Sequence, residues 1–303
     1  MLPRDIAFGV FLLVQIGVGV VGNSFLFMLY TYIFFTQPHL KKTIDVIFIH
    51  LTSVNILTIT FRVVPDITSS FGVRHLLDTV GCKAVLCLYR VTRGVSICTT
   101  SLLSVFQAIT VSPGHSKWAW LKPKLPSWIL PSFLCFWIAN MVFWIYVNDS
   151  VTANLNVTVV GRGFVHAYCH NRQAEGHRSV SLFVVMVIHD VLFVTLMVRS
   201  SLYMVCILYR HRRRAWHIHS RSLSSQTSPE SKATHTVLLL VFCFMFFYFS
   251  NNVATFYLFY RPEKNPEMEK ITGIIASCYP TICPFVLMTN NKMISSLLPP
   301  MQR

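Results

Sequence analysis

Long apolar runs recur along the chain, and charged residues are concentrated in the segments between them. Residues 6–35 and 128–147 contain no charged side chain, and residues 233–260 contain only a histidine. Each run exceeds the about 18–20 residues that cross the hydrocarbon core of a membrane at about 1.5 Å per residue. Four further runs contain isolated charges, which a membrane tolerates when they face other helices. The pattern predicts an all-α integral membrane protein with a seven-helix bundle, its spans at approximately 6–35, 44–64, 84–111, 128–147, 179–209, 233–260 and 271–291.

The composition agrees with a membrane protein. Hydrophobic residues make up 53% of the 303 residues and charged residues 12%, about half the charge of a typical soluble domain. The segments between the runs are too short for a separate soluble domain, so we expect one domain over residues 1–303. The first run is about twice as long as the apolar region of a signal peptide and has no small-residue cleavage site before Tyr30, which favours a retained helix.

The distribution of Lys and Arg predicts the orientation. With the N-terminus outside, the inner segments contain thirteen bases and one acid, Glu230, whereas the outer segments contain eight of each. This asymmetry is the positive-inside pattern of a multi-pass membrane protein. The formal net charge of +15 could suggest nucleic acid, but these bases lie in short loops on one side. We therefore expect membrane lipids, and no nucleic acid, as partners.

Sequons and cysteines support the same orientation. Asn148 and Asn156 each begin a glycosylation sequon between spans four and five, which is outside in this topology. Cys82 and Cys169 also lie on the outer side, where an oxidising compartment favours a disulfide; the alternative is two free thiols. The other seven cysteines lie within spans and are expected to behave as small apolar residues.

Two motifs are better explained by the membrane than by ligand chemistry. The stretch GVGVVG at residues 17–22 fits a dinucleotide-binding pattern, but it lies within a span, where small residues allow helices to approach closely. The stretch RHRRRAWHIH at 210–219 lies at the inner end of a span and is expected to contact anionic lipid. Neither paired carboxylates nor a nucleophile with a base is apparent. We expect no enzyme activity and no cofactor or metal.

Seven spans, an outside N-terminus and an outer pair of cysteines describe a G-protein-coupled receptor. At the inner end of span three, where rhodopsin-like receptors have an acidic-Arg-aromatic triplet, the chain has Phe106-Gln107-Ala108. Five stretches resemble the vomeronasal type-1 receptors, a family of pheromone receptors. They are GCKAVLCLYRVTRGVS (81–96), LLSVFQAITVSP (102–113), LMVRSSLYMVCILYRHRRRAWHIHS (196–220), SPESKATHTVLLLV (228–241) and CYPTICPFVLM (278–288).

This resemblance implies a chemosensory receptor of the plasma membrane. It implies a small-molecule, pheromone-like ligand and a heterotrimeric G protein of the inhibitory class. A bitter-taste-type receptor of the same architecture is the nearer alternative. A transporter or channel is a more distant one, because the odd helix count and the lack of two similar halves argue against inverted repeats.

Charges within the spans indicate a candidate ligand region. Arg93 lies about 16 Å below Cys82, and Asp190 lies about 16 Å below Ser179, so both reach the middle of the membrane. An isolated charge is costly there, and we expect an Arg93–Asp190 pair. Arg90 lies one turn above Arg93 and is a candidate for binding an anionic ligand group. Bonding of Arg90 to backbone carbonyls or waters is the alternative.

Polar groups at the inner ends indicate a candidate coupling region. Gln107, Thr110, Arg210 and Arg212–Arg214 are expected to line a groove for the helical tail of a G protein. Because Gln107 has no charge, hydrogen bonds and packing would have to hold the inactive state; the alternative is a helix end solvated by lipid headgroups.

Asn23 and Asn55 are expected to form either a switch network or plain interhelical contacts. Pro280 and Pro284 are expected to kink span seven and free backbone carbonyls.

Overall fold

The computed structural model describes residues 3–36, 42–72, 78–147, 151–153, 169–171, 177–218, 229–260 and 266–289. Seven α-helices in this part of the chain are long and apolar enough to cross a membrane. They are α1 (Pro3–Thr36), α2 (Thr43–Ser70), α3 (Thr79–Val111), α4 (Leu125–Val147), α5 (His177–Ile218), α6 (Pro229–Tyr260) and α7 (Pro266–Thr289). The seven-helix fold predicted from the apolar runs is confirmed. A short 3₁₀ helix, Ala119–Leu121, precedes α4.

The third helix lies at the centre of the bundle. In its most apolar window 78% of the residues are buried, against 17% in α4 and in α5. Helix α3 and its neighbours contribute large, fully buried side chains to one core, among them Leu51, Leu103, Met197, Met204 and Leu240. Residues on α3 therefore contact most of the bundle, which makes this helix the natural place for a shared site.

The outer helices turn large apolar side chains away from the core. Val21, Leu130, Leu202 and Phe242 are each more than half exposed. In water such a surface would be an unusually large apolar patch, whereas in a bilayer it faces acyl chains. The chain is therefore a multi-pass membrane protein.

Two helices extend well beyond the spans estimated from the sequence. Helix α2 continues from the expected end at Val64 through Pro65 to Ser70. Membrane helices tolerate such a proline because neighbouring groups satisfy the freed backbone. Helix α5 continues nine residues past Tyr209, through the basic run, to Ile218; arginine is a good helix former, so the run need not end the helix.

Close helix contacts explain two glycines of the GVGVVG stretch. A Cβ on Gly19 would lie 2.7 Å from Ile59 Cδ1, and one on Gly22 would lie 2.9 Å from Pro284 Cγ. A Cβ on Gly17 would meet nothing within 4 Å. The stretch is thus a packing surface of α1 against α2 and α7.

Helix α7 is continuous through Pro280 and Pro284, and another helix supplies a donor for the carbonyl that Pro284 leaves free. Pro284 has no N–H, so the carbonyl of Pro280, four residues before it, has no helical donor. The amide of Asn23 on α1 donates to that carbonyl at 2.8 Å. Asn55 Nδ2 donates to Asn23 Oδ1 at 3.4 Å, and Ser96 Oγ donates to Asn55 Oδ1 at 3.3 Å. One buried polar network therefore connects α1, α2, α3 and α7.

A two-stranded antiparallel hairpin lies between α4 and α5 in sequence. It pairs β1 (Val151–Ala153) with β2 (Cys169–Asn171), with Ala153 opposite Cys169. Strand β1 contacts α3, and Cys82, near the start of α3, is disulfide-bonded. The side chain of Cys169 lies outside the described part of the chain, so its pairing with Cys82 stays a prediction. The predicted sequon residues Asn148 and Asn156 also lie outside the described residues.

Candidate functional site

Arg93 is the centre of a polar cluster within the bundle, and its nearest acceptors are neutral. Its Nη2 donates to Asn252 Oδ1 at 3.1 Å. In the amide orientation that satisfies both groups, Asn251 Oδ1 accepts from the two guanidinium nitrogens at 3.0 and 3.1 Å. The guanidinium carbon lies 5.0 Å from the centre of the Tyr248 ring, a favourable cation–π distance. Helix α6 therefore provides three partners for this α3 cation.

Asp190 belongs to the same cluster but makes different direct contacts. Its Oδ2 accepts a hydrogen bond from the Tyr248 hydroxyl, and its Oδ1 lies 3.2 Å from His189 Nδ1. Among the described residues, the expected direct Arg93–Asp190 salt bridge is not formed. The two charges interact electrostatically, with the Tyr248 side chain contacting both. Asp190 is thus bonded to a hydroxyl and an imidazole, and Arg93 is bonded to two amides. Each charged group therefore has polar side-chain partners without a direct contact between the two.

A narrow cavity adjoins the cluster. Arg93, Ser96, Tyr248, Asn251 and Tyr279 line it, together with apolar side chains of α6 and α7. Its volume is about 30 Å³, far below the about 300–1,000 Å³ of a typical small-molecule site. A small organic ligand would therefore have to widen it by moving α6 or α7. Tyr279 also bonds to Thr100 of α3 at 3.0 Å, so such movement would strain an interhelical contact.

Arg90 lies apart from this cavity. Its guanidinium carbon is 4.9 Å from the centre of the Trp144 ring on α4, and it is not among the residues that line the cavity. The cation–π contact gives Arg90 a partner that the sequence did not suggest. Its predicted part in binding an anionic group remains untested.

At the other end of α3, Gln107 is buried and bonded to α6. Its Nε2 donates to Thr234 Oγ1 at 3.1 Å, and its exposed fraction is 3%. This burial contradicts the alternative in which Gln107 is solvated by lipid headgroups. Thr110, one turn later, is exposed and donates to the Phe106 carbonyl of its own helix at 2.8 Å.

The basic residues that follow are part of α5. We call the end of the bundle at which α3 and α5 terminate the basic end. Arg210 and Arg213 are exposed there. Arg212 and Arg214 belong to the same helix, but their side chains lie outside the described residues. The structure therefore brings two of the four predicted arginines to the surface of this end.

Several residues that organise these sites were not predicted from the sequence. Asn251 and Asn252 stand next to each other within the aromatic-rich α6, and adjacent amides in so apolar a run were a signal that polar partners exist. His50 was also missed: it accepts from Trp137 Nε1 at 3.0 Å, lies 3.1 Å from Thr99 Oγ1 and stacks on Phe133. It joins α2, α3 and α4.

The seven-helix bundle, its central polar α3 and a cavity between α3, α6 and α7 define the class of G-protein-coupled receptors. The structure of squid rhodopsin is similar, with a TM-score of 0.75 over 98% of this chain and 80% of that chain, at 13% identity. The profile of the "Vomeronasal organ pheromone receptor family" matches residues 6–299. The chain belongs to this family.

Individual relatives agree over nearly the whole chain. Human vomeronasal type-1 receptor 4 is 38% identical over 95% of this chain and 95% of its own length. Human vomeronasal type-1 receptor 3 is 36% identical, with 98% and 95% covered. Olfactory receptor class A-like protein 1 of Danio rerio is 32% identical, with 95% and 90% covered. The family is one of chemosensory receptors, which is not an enzyme class, and its membership favours this function over the bitter-taste and transporter alternatives.

Proposed function

We propose that this receptor binds a small, pheromone-like molecule at the Arg93 cavity and signals through a heterotrimeric G protein of the inhibitory class. The observation that supports this most directly is the Arg93 cluster itself. A cation within the bundle, bonded to neutral amides and next to a cavity, can exchange those amides for acceptor groups of a ligand. Family membership supports the chemosensory part of the proposal.

The charge network would act through Tyr248. This residue contacts both Arg93 and Asp190 and also lines the cavity. A ligand that attracts Arg93 would loosen the Asn251 and Asn252 contacts and so change the position of α6. Binding energy that differs between two arrangements of α6 is what a ligand needs to shift their populations. Arg90, also on α3, is a further candidate for contacting an anionic group of the ligand.

The basic end is proposed as the cytoplasmic, G-protein-binding face, with the N-terminus extracellular. Separation of α3 from α6 there would break the Gln107–Thr234 hydrogen bond and open a groove. Gln107, Thr110 and the basic residues Arg210, Arg212, Arg213 and Arg214 are the proposed lining. The excess of bases at this end supports the orientation.

The test is to express the full-length receptor with an inhibitory or promiscuous G protein and to screen volatiles and steroids for G-protein activation. A hit should lose potency in Arg93→Gln at matched surface expression. Tyr32→Phe, which changes an exposed side chain of α1, is the matched control and should respond normally. Ligand-dependent ion or solute flux without any G protein would support the transporter alternative instead.

A further inference from the structure

One cation of α5 faces lipid instead of protein. Arg199 is exposed, whereas the next residue, Ser200, is buried and donates to Ser104 Oγ of α3 at 2.9 Å. Leu196 and Leu202, on the same helix, are also exposed. Within the described part of the chain, no hydrogen bond, ion pair or ring contact involves the Arg199 guanidinium. This departs from the expectation that charges within the spans face other helices.

Arg199 lies within the half of the membrane next to the basic end. The contact between Ser200 and Ser104 places it level with Ser104. Helix α3 ends seven residues later at Val111, about 10 Å away at about 1.5 Å per residue. Half of the hydrocarbon core is about 15 Å thick. The guanidinium is therefore inside the apolar layer but close enough to a surface to draw headgroups toward it.

A lone cation at this depth requires a counter-charge. An arginine at the centre of a membrane helix is costly to insert, and the cost is reduced when the side chain extends to the interface and the bilayer thins locally. A guanidinium also binds phosphate in a two-pronged geometry. A phospholipid phosphate is thus the counter-ion that the surroundings of Arg199 can supply.

The protein surface between Arg199 and the basic end is suited to the rest of a lipid headgroup. One turn along α5, the Tyr203 hydroxyl lies 2.8 Å from Ser112 Oγ, and the Ser112 carbonyl accepts from Lys122 Nζ. Lys124 Nζ is 5.3 Å from the centre of the exposed Trp120 ring. Tryptophan and lysine together are typical of the membrane–water interface. Two cations and an indole therefore lie along this edge.

A second copy of the chain fits less well. Three carboxylates of the described helices are engaged inside their own bundle: Asp45 accepts from the Lys42 backbone, Asp66 pairs with Arg62, and Asp190 bonds to Tyr248. None of these three is exposed. Among the described residues near the depth of Arg199, a partner copy would thus offer an apolar surface and no counter-charge.

We propose that Arg199 and the edge formed by Tyr203, Lys122, Lys124 and Trp120 bind one anionic phospholipid, with its phosphate on Arg199. Its acyl chains lie along Leu196 and Leu192, which are exposed on α5 nearer the membrane centre. The proposal depends on neither a ligand nor a G protein, so it can fail while the proposed function stands.

The test is native mass spectrometry of the purified full-length receptor with phosphatidylserine and phosphatidylcholine of matched acyl chains. The wild type should retain one phosphatidylserine against an excess of phosphatidylcholine. Arg199→Leu should lower that occupancy about five-fold or more, since a cation near a membrane contributes about 1 kcal/mol. Arg199→Lys, which keeps the charge, should largely retain it.

Lys117→Gln is the matched control, because Lys117 is exposed at the same end but outside the span. Its effect should be small and should vanish at high salt, where exposed charges are screened, whereas the effect of Arg199→Leu should persist. Equal retention of phosphatidylserine by Arg199→Leu and wild type would overturn the proposal. So would a dimer that is lost in Arg199→Leu while lipid occupancy is unchanged, since that result would assign Arg199 to a protein partner.

Discussion

Gln107 on α3 donates a hydrogen bond to Thr234 on α6, with 3.1 Å between Nε2 and Oγ1, and water has little access to either side chain. The pair joins the two helices whose separation would open the basic end. A neutral hydrogen bond contributes about 0.5–1.5 kcal/mol, less than a buried ion pair loses when it is broken. A bond of this size can stabilise a closed state that modest ligand energy is able to open.

If this bond holds the inactive state, Thr234→Val should raise basal G-protein activation about two- to ten-fold at matched surface expression, as its free energy implies. Gln107→Leu should raise basal activation by a similar factor. The double variant should be little more active than either single variant, because each single change already removes the same Gln107–Thr234 bond. Thr60→Val is the control, since among the described residues the Thr60 hydroxyl bonds only to the Ile56 carbonyl of its own helix. Unchanged basal and ligand-driven coupling in Gln107→Leu would show that the residue is only a helix terminus.

Tyr248→Phe should destabilise the Arg93 cluster, although it removes a single hydroxyl group. It removes the hydroxyl that donates to Asp190, and a hydrogen bond to a charged group contributes about 1.5–3 kcal/mol. We expect a lower Tm of the purified receptor and reduced surface expression. Asp190→Asn should show a similar loss, and exchanging the charges of Arg93 and Asp190 should not restore it, because the two side chains do not pair directly. Full rescue by that exchange would contradict the arrangement.

The disulfide prediction is independent of the cavity. Cys82 is disulfide-bonded, and a bond to Cys169 would join the β1–β2 hairpin to the start of α3. Loss of a native disulfide costs about 2–5 kcal/mol in small secreted domains, so Cys82→Ser and Cys169→Ser should each reduce surface expression. Cys135→Ser, at an exposed free cysteine, should be tolerated. Mass spectrometry of non-reduced peptides that finds the Cys82 peptide joined to any peptide other than that of Cys169 would reject the pairing.

Glycosylation tests the orientation of the bundle. Asn156 is the preferred acceptor over Asn148, because threonine sequons are generally better than serine sequons and Asn148 is close to the end of α4. Asn156→Gln should increase the gel mobility of the receptor, and treatment with a glycosidase should abolish the difference. A mobility that neither Asn156→Gln nor the glycosidase changes would remove this support for an extracellular loop between α4 and α5.

The number and approximate limits of the helices were predictable because an apolar run of about 20 residues has one stable form in lipid. Which side of each helix faces the bundle was harder to predict. On α5 Arg199 and Ser200 are adjacent within one apolar helix, yet Ser200 contacts α3 and Arg199 faces outward. Rotation of a helix in a membrane depends on contacts between small and polar groups, and these are not visible in hydropathy.

The partners of Arg93 illustrate the same limit. Its depth followed from counting residues along α3, and the depth of Asp190 from counting along α5, but two charges at one depth need not touch. Tyr248, Asn251 and Asn252 come from a helix more than 150 positions away. These side chains contact Arg93 because of how α6 is rotated about its own axis. Helix α6 has no polar face from which that rotation could be predicted from sequence alone.

Gly94 provides the sharpest test of how closely α3 and α4 pack. A Cβ on this residue would collide with the Asn140 side-chain amide, whose nitrogen donates to the Phe136 carbonyl at 2.9 Å and cannot turn away without losing that bond. Gly94→Ala should therefore reduce surface expression and Tm, by an amount typical of overpacking, about 1–3 kcal/mol. Gly17→Ala, where the added methyl meets nothing, is the matched control and should be neutral. The double variant Gly94→Ala with Asn140→Ala should recover part of the loss, because it removes the colliding amide. If Gly94→Ala and Gly17→Ala are equally stable, α3 and α4 are farther apart than the structure has them.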